Sequence, residues 1–304
     1  MATKAPARND PKNIFGWCMY DWANSAYVTT VAVGLLPAYF AEAVVGPDGA
    51  RIGGTVYSAT ALWGFVVGLA SLITFLCAPV LGAIADFSAA KKRFLLAFAY
   101  TGCVFTVLLH FCHEGDVIRT LLFYLVAQVG FIGANVFYDA FLPQITDERH
   151  MDRVSGRGYA FGYVGGGLQF AIALALVAGH ERLGLSQSAA ARIGMMMAGL
   201  WWGAFTSVTW KYLRETPTLR TLPGRYDKWP RFVAYTRMGF SRTLGTIRRA
   251  RRFRHLVLFL IAFMLYDDGI QTVIQMATIY GKDELRLPTN TLMLTLLIIQ
   301  AIAT

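Results

Sequence analysis

Charge is scarce in this sequence: 15% of its 304 residues are Asp, Glu, Lys or Arg, against 56% hydrophobic residues, and the mean hydropathy is +0.46. Soluble domains carry about 25% charged residues, so the composition excludes a water-solvated domain and points to a chain whose solvent is lipid. Cysteine is also scarce. Cys18, Cys77, Cys103 and Cys112 lie in apolar segments with no CxxC spacing, which indicates neither a disulfide framework nor a zinc site. The stretch His110 to Glu114, HFCHE, is explained by a polar helix end, so no metal is expected. No HExxH or nucleophile–base motif appears, which argues against an enzyme and against any cofactor. The cluster GYVGGG, Gly162 to Gly167, follows no strand and lies in an apolar span; it reads as close helix packing, not as a phosphate loop. A cleavable signal peptide is not indicated, because the first apolar run is too long and contains Asp21.

What the sequence does have is long apolar runs. A helix needs about 20 predominantly apolar residues to cross a bilayer, and such runs fall at 14–45, 57–87, 94–111, 120–142, 159–177, 193–213 and 256–280. An eighth begins near Thr289 and reaches Thr304 with no polar flank, so the expectation is a chain cut inside a helix. All 28 Lys and Arg are read as lying in loops between these runs. With the N-terminus inside, 22 fall on the inner side and 6 on the outer, an asymmetry that sets the orientation by the positive-inside rule and makes the net charge of +10 a topology signal. No nucleic-acid partner is expected. Three regions follow: a six-helix bundle over 1–213, a basic cytoplasmic loop over 214–255, and the start of a second bundle over 256–304.

Polar residues within the runs are uneven. The third and sixth runs contain no Asp, Glu, Asn or Gln, and the second has none before Asp86. In the first, Asp21, Asn24, Ser25 and Thr29 share one helical face; in the fourth, Gln128, Asn135 and Asp139 do; in the seventh, Asp267, Gln271, Gln275 and Thr278 do, with Asp268 alongside. A stripe on every third helix suggests three-helix repeats whose first member lines a cavity and whose third faces lipid. A longer repeat is also visible: MYDWANSAY from Met19 is echoed by LYDDGIQTV from Leu265, which aligns Tyr20 and Asp21 with Tyr266 and Asp267.

These stretches, with VFYDAFLPQITDERHMDRVSGRGYAFGYVGGG across 136–167 and RRFRHLVLFLIAFMLYDDGIQTV, resemble the major facilitator superfamily. Within it they resemble the group related to the fungal vacuolar amino-acid effluxer linked to autophagy. GAIADFSAAKKR resembles the superfamily's loop between helices two and three, and the likeness implies a cytoplasmic gate at Gly82, Asp86, Lys91, Lys92 and Arg93, with Asp139 and Arg153 as further gate candidates. It implies an all-α polytopic membrane protein of twelve helices in two halves, of which this chain would hold six plus the seventh and part of the eighth. Asn is the commoner residue of the family at the positions of Asp139 and Asp267, whereas Asp21 and Asp268 fit its pattern. Helix four lacks the Arg that many proton-coupled members carry near its start.

The resemblance implies a secondary active transporter of a small polar solute, an amino acid by analogy, working as a monomer in a bacterial inner membrane. A different solute class (sugar, drug or another metabolite) and a truncated, non-transporting remnant are the other readings. An Asp at mid-bilayer costs about 2.5–3.5 kcal/mol on insertion scales, and no Lys or Arg is expected inside the spans to offset it. Three roles stay open for Asp21: meeting the ammonium of a substrate, carrying a coupling proton, or making a structural contact at the gate. Asn24, Ser25, Asn135, Asp267, Asp268, Gln271 and Gln275 would complete the site. In the basic loop, Phe232, Phe240, Leu244 and Ile247 share a face among arginines, as in a helix resting on the anionic inner leaflet or in a solvated linker.

Overall fold

The computed structural model describes residues 8–88, 90–216, 223–226 and 228–303. Lys4 and Arg220, two of the counted basic residues, lie outside them. The first helix, α1 (Pro11–Val45), is 35 residues long. It starts where Asp10 caps the Lys12 amide at 3.1 Å and Pro11 occupies the first turn, a position where the missing proline N–H costs nothing. Over Tyr27–Leu35 and again over Phe40–Val45 its turns widen to π-helix. Pro37 sits between the two segments, lacking an N–H and crowding the preceding turn.

A hairpin follows, β1 (Ala50–Ile52) and β2 (Thr55–Tyr57), with Ile52 opposite Thr55. Its two-residue turn is Gly53-Gly54, both at positive φ, as a type I′ turn requires. Then come α2 (Ala59–Phe87), α3 (Lys91–Phe111), α4 (Val117–Ile145) and α5 (Met151–Ala178). Next are α6 (Gln187–Tyr212), α7 (Arg231–Ala250), α8 (Arg254–Asp283) and α9 (Thr289–Ala303). Ser58 and Ser186 cap α2 and α6 through their hydroxyls. Within α4 the regular helix ends at Asp139 and resumes at Leu142; Pro143 would drive its ring into the Asp139 carbonyl if the helix ran through.

Among the described residues, six helices are long and apolar enough to cross a membrane: α1 to α5 and α8. The sixth expected span is present as the 26-residue α6. Two expectations are corrected. The helices extend past the apolar runs, so many basic residues are helical, not in loops: Lys91, Lys92 and Arg93 open α3, Arg153 and Arg157 lie in α5, and Arg119, Arg192 and Lys282 lie in α4, α6 and α8. Nor does every first helix of a three-helix unit face inward: α8 does not. The best apolar stretch of α1 is 72% buried, that of α3 33%, that of α2 only 17% and that of α8 none, because α2 turns Phe65, Leu72, Phe75 and Leu76 away from the bundle.

Helix α1 is the hub, packed against α5 and α6, while α3 pairs with α4 and α6, and α2 with α4 and α7. The glycine cluster of α5 lies close against α1: a Cβ at Gly165 would stand 2.6 Å from the Trp22 carbonyl, and one at Gly158, just before the cluster, 2.6 Å from the Trp17 ring. Small residues let two backbones meet where side chains would hold them apart, as the cluster's position in an apolar span suggests.

The end of the bundle where α1 begins is tied by single polar residues. Asn9 donates to Asp147 at 2.7 Å and accepts from Thr146 at 2.7 Å; Asn13 accepts from the Arg214 amide at 2.8 Å. The Glu215 carboxylate accepts from the amides of Lys91 and Lys92 at 2.8 and 3.2 Å, capping α3. This is called the basic end below.

Candidate polar site on the first helix

The polar face of α1 resolves into two seams. Toward α4, Asn24 donates to Asn135 at 2.8 Å, Tyr27 donates to Gln128 at 2.9 Å, and the Trp17 indole donates to the Tyr138 carbonyl at 3.0 Å with the two rings stacked 4.4 Å apart. Toward α5, Thr29 donates to the Ser25 carbonyl at 2.8 Å and to Gly166 at 3.3 Å, and Thr30 bonds Gln169. Asn24 and Gln128 are buried, and burying an amide without a partner is costly; each seam pairs one side of its amides and leaves Asn24 Oδ1 and Gln169 Nε2 without a partner among the described residues.

Asp21 stands where the seams diverge. Its carboxylate lies against Gly162, whose missing side chain leaves it room: a Cβ there would be 3.1 Å from Oδ2 and 2.8 Å from the Ser25 hydroxyl. Asp139, the last residue of the regular part of α4, is near enough for the two charges to act on one another. Asp21 is half-buried, and among the described residues it has neither a hydrogen bond nor an ion pair. Arg157 lies within the spanning helix α5 and acts electrostatically on Cys18, which precedes Asp21 by one turn of α1; this corrects the expectation that no Lys or Arg enters the spans.

The stripe of α8 is not brought to this place. Asp268 and Gln271 are exposed, Asp267 is partly exposed, and Gln275 meets the bundle through its backbone, its carbonyl accepting from Trp63 at 3.2 Å. The gate candidates are scattered along the basic end. Asp86 pairs with Arg242 of α7 at 2.9 Å. Lys91 is buried, Lys92 donates its ammonium to the Trp210 carbonyl at 2.6 Å, and Arg93 and Arg153 are exposed. Gly82 faces open space.

A second polar cluster, at the opposite end, escaped the sequence reading. Glu42, on the last π-helical turn of α1, pairs with Lys282 of α8 at 2.8 Å and accepts from Thr289 of α9 at 2.9 Å, while Lys282 also donates to Thr289 at 3.0 Å. Beside it the Asp283 carboxylate accepts from the Thr60 amide and hydroxyl at 3.0 and 2.7 Å. These bonds fasten α8 and α9 to α1 and α2, next to a cavity of about 300 Å³ lined by Leu35, Tyr39, Glu42, Val177, Ser188 and Thr289. Each residue sits at a helix end, where a polar side chain carries no periodic signal. Among the described residues no group of His, Cys, Asp and Glu is placed to hold a metal ion.

A family model described as vacuole effluxer Atg22 like matches residues 9–151 and 146–304. An uncharacterized MFS-type transporter, YxiO of Bacillus subtilis (strain 168), is 36% identical over 291 residues, covering 94% of this chain and 64% of its own length. Autophagy-related protein 22-1 of Phaeosphaeria nodorum is 23% identical over 260 residues, covering 71% of this chain and 45% of its own. Autophagy-related protein 22 of Coccidioides immitis is 25% identical over 262 residues, with 67% and 42% covered. The chain thus spans less than two thirds of the length of these relatives.

Proposed function

The chain belongs to the Atg22-like vacuole effluxer family of major facilitators and is a multi-pass integral membrane protein, and we propose that it serves as a secondary active transporter of a small polar solute. One observation carries the reading: Asp21, a half-buried carboxylate inside a lipid-spanning bundle, has no hydrogen-bond or ion-pair partner among the described residues, while the amide N–H of Asn24 beside it is held by Asn135. An ionisable group held within a membrane span is a functional-site candidate by default, and a carboxylate left open suits the ammonium of an amino acid or a coupling proton. Ser25 and Asn135 flank it. Asp267, Asp268, Gln271 and Gln275 would join it only through a rearrangement of α8.

In this reading the halves rock about α1, with the basic end toward the cytoplasm of a bacterium, since 20 of the 26 described Lys and Arg lie on that side. The direction is efflux, by analogy with the family's description. The ties at the opposite end, Glu42 with Lys282 and Thr60 with Asp283, would have to break for that side to open.

The test is counterflow of labelled amino acids in proteoliposomes carrying the protein or its Asp21→Asn variant. Saturable flux that the variant loses supports the proposal. Flux by the variant equal to that of the parent removes Asp21 from the site, and no saturable flux of any small polar solute overturns the transport reading itself.

A further inference from the structure

Helix α7 and its flanks hold the chain's densest charge: from Lys228 to Arg254 there are nine Lys and Arg and no Asp or Glu. One side of α7 packs on the last turns of α2. Ala234 and Met238 are buried with Ala83 against Phe87, Gly239 lies so close to the Pro79 carbonyl that any side chain would collide, and Arg242 pairs with Asp86 while its guanidinium stands over the Phe87 ring at 5.1 Å. The other side is apolar and open: Phe232 is 70% exposed, Leu244 54%, Ile247 48% and Phe240 41%. At about 100° per residue, Phe240, Leu244 and Ile247 share an arc of roughly 60°, and Arg237 and Arg248 fall on its border. Trp229, under the Arg237 guanidinium at 4.4 Å, is half exposed at the start of the helix.

We propose that this face is a docking surface for anionic phospholipid: α7 lies in the headgroup region of the leaflet at the basic end, with Phe240, Leu244 and Ile247 among the acyl chains and Arg237 and Arg248 on lipid phosphates. Three features select this occupant. Contact with the final turns of a spanning helix sets α7 at the depth where interfacial helices lie. A run of nine cations without an acid matches an anionic surface. Exposed aromatic and aliphatic side chains between the arginines suit acyl chains, whereas a nucleic acid or an acidic protein segment would call for the cations alone. Because Arg242 ties the same helix to Asp86, bilayer charge is transmitted to the inner end of α2. The docking stands on the membrane-spanning fold and does not depend on transport.

The test uses the whole chain with its four cysteines replaced by alanine and a single Leu244→Cys, labelled with an environment-sensitive fluorophore, in nanodiscs of phosphatidylcholine alone or with a quarter phosphatidylglycerol. Leu244 is exposed, so its replacement leaves the packing intact; Phe240→Cys serves as the second position. The proposal expects blue-shifted emission, quenched at least two-fold by lipids with a shallow nitroxide, more strongly in the anionic discs. The Arg237→Gln, Arg248→Gln double variant should abolish that lipid dependence. Emission typical of water in both discs overturns it. So does a blue shift that lipid nitroxides do not quench, which would mean protein or nucleic acid covers the face. Quenching that is equal in both discs and unchanged by the double variant overturns the anionic selectivity.

Discussion

The tie at the end opposite the basic one yields the sharpest prediction. Lys282 is largely buried, with 15% of its side chain exposed, while Glu42 is half exposed at 45%. An exposed pair is worth about 0.2–1 kcal/mol and severing a fully buried one costs about 3–5 kcal/mol, so this pair, discounted for the solvent around Glu42, is assigned about 1–2 kcal/mol. If the pair forms only while α8 and α9 are docked on α1, removing its charge shifts the docked-to-open ratio by roughly 5- to 30-fold, at about 1.4 kcal/mol per decade. Leu35 reports the opening, being 1% exposed and lining the adjoining cavity. In a background lacking Cys77, Cys103 and Cys112, alkylation of Leu35→Cys should speed up about 5- to 30-fold in Glu42→Gln and in Lys282→Met. Native Cys18, 1% exposed near the basic end, is the internal control. An unchanged rate at position 35 refutes the reasoning, and an equal rise at Cys18 would show that the variants merely loosen the fold.

Three further outcomes are expected. A double-mutant cycle of Asn24→Leu and Asn135→Leu, read by reversible unfolding in bicelles, should give a coupling of about 0.6 kcal/mol and no more than about 1.7 kcal/mol; zero coupling would mean the 2.8 Å bond contributes nothing. Gly165→Ala, forced against the Trp22 carbonyl, should destabilise by about 1–3 kcal/mol. By contrast Gly156→Ala, on the same helix with nothing within 4 Å of the added methyl, should gain about 0.5–1 kcal/mol; thermal melts in detergent compare them, and equal shifts would contradict the packing. Asp147, outside the spans, is held down to about 2 by hydrogen bonds from His150 and Asn9. Its folded value lies below the unfolded one, so its contribution is complete above about pH 4 and is lost as pH falls toward 2. The melting difference between the parent and Asp147→Asn should therefore narrow across that window, and a difference independent of pH would show that the bonds to His150 and Asn9 do not matter.

The spans and the polar faces were legible because both are periodic. Lipid demands long apolar runs, and a 3.6-residue helix puts Asp21, Asn24 and Ser25 on one side whatever the neighbours are. What periodicity cannot supply is the partner. Asn24 meets Asn135 across 111 residues, Asn13 meets Arg214 across 201, and Thr60 meets Asp283 across 223. The Gly53-Gly54 hairpin did carry a local signal, two glycines between β-formers, but its strands are only three residues long and fall between two long apolar runs.

The division of the α1 face has a consequence for how Asp21 can act. Asn24 is committed to α4 and Thr29 to α5, so a movement of α4 against α5 must stretch one seam or the other, and Asp21, at their junction with Gly162 on one side and Asp139 near the other, feels either displacement first. On the proposed transport reading, an opening of α4 away from α5 would separate Asp139 from Asp21 and admit water to the carboxylate, and a closing would bring the two acids together, so that the side chain changes its surroundings between the two arrangements.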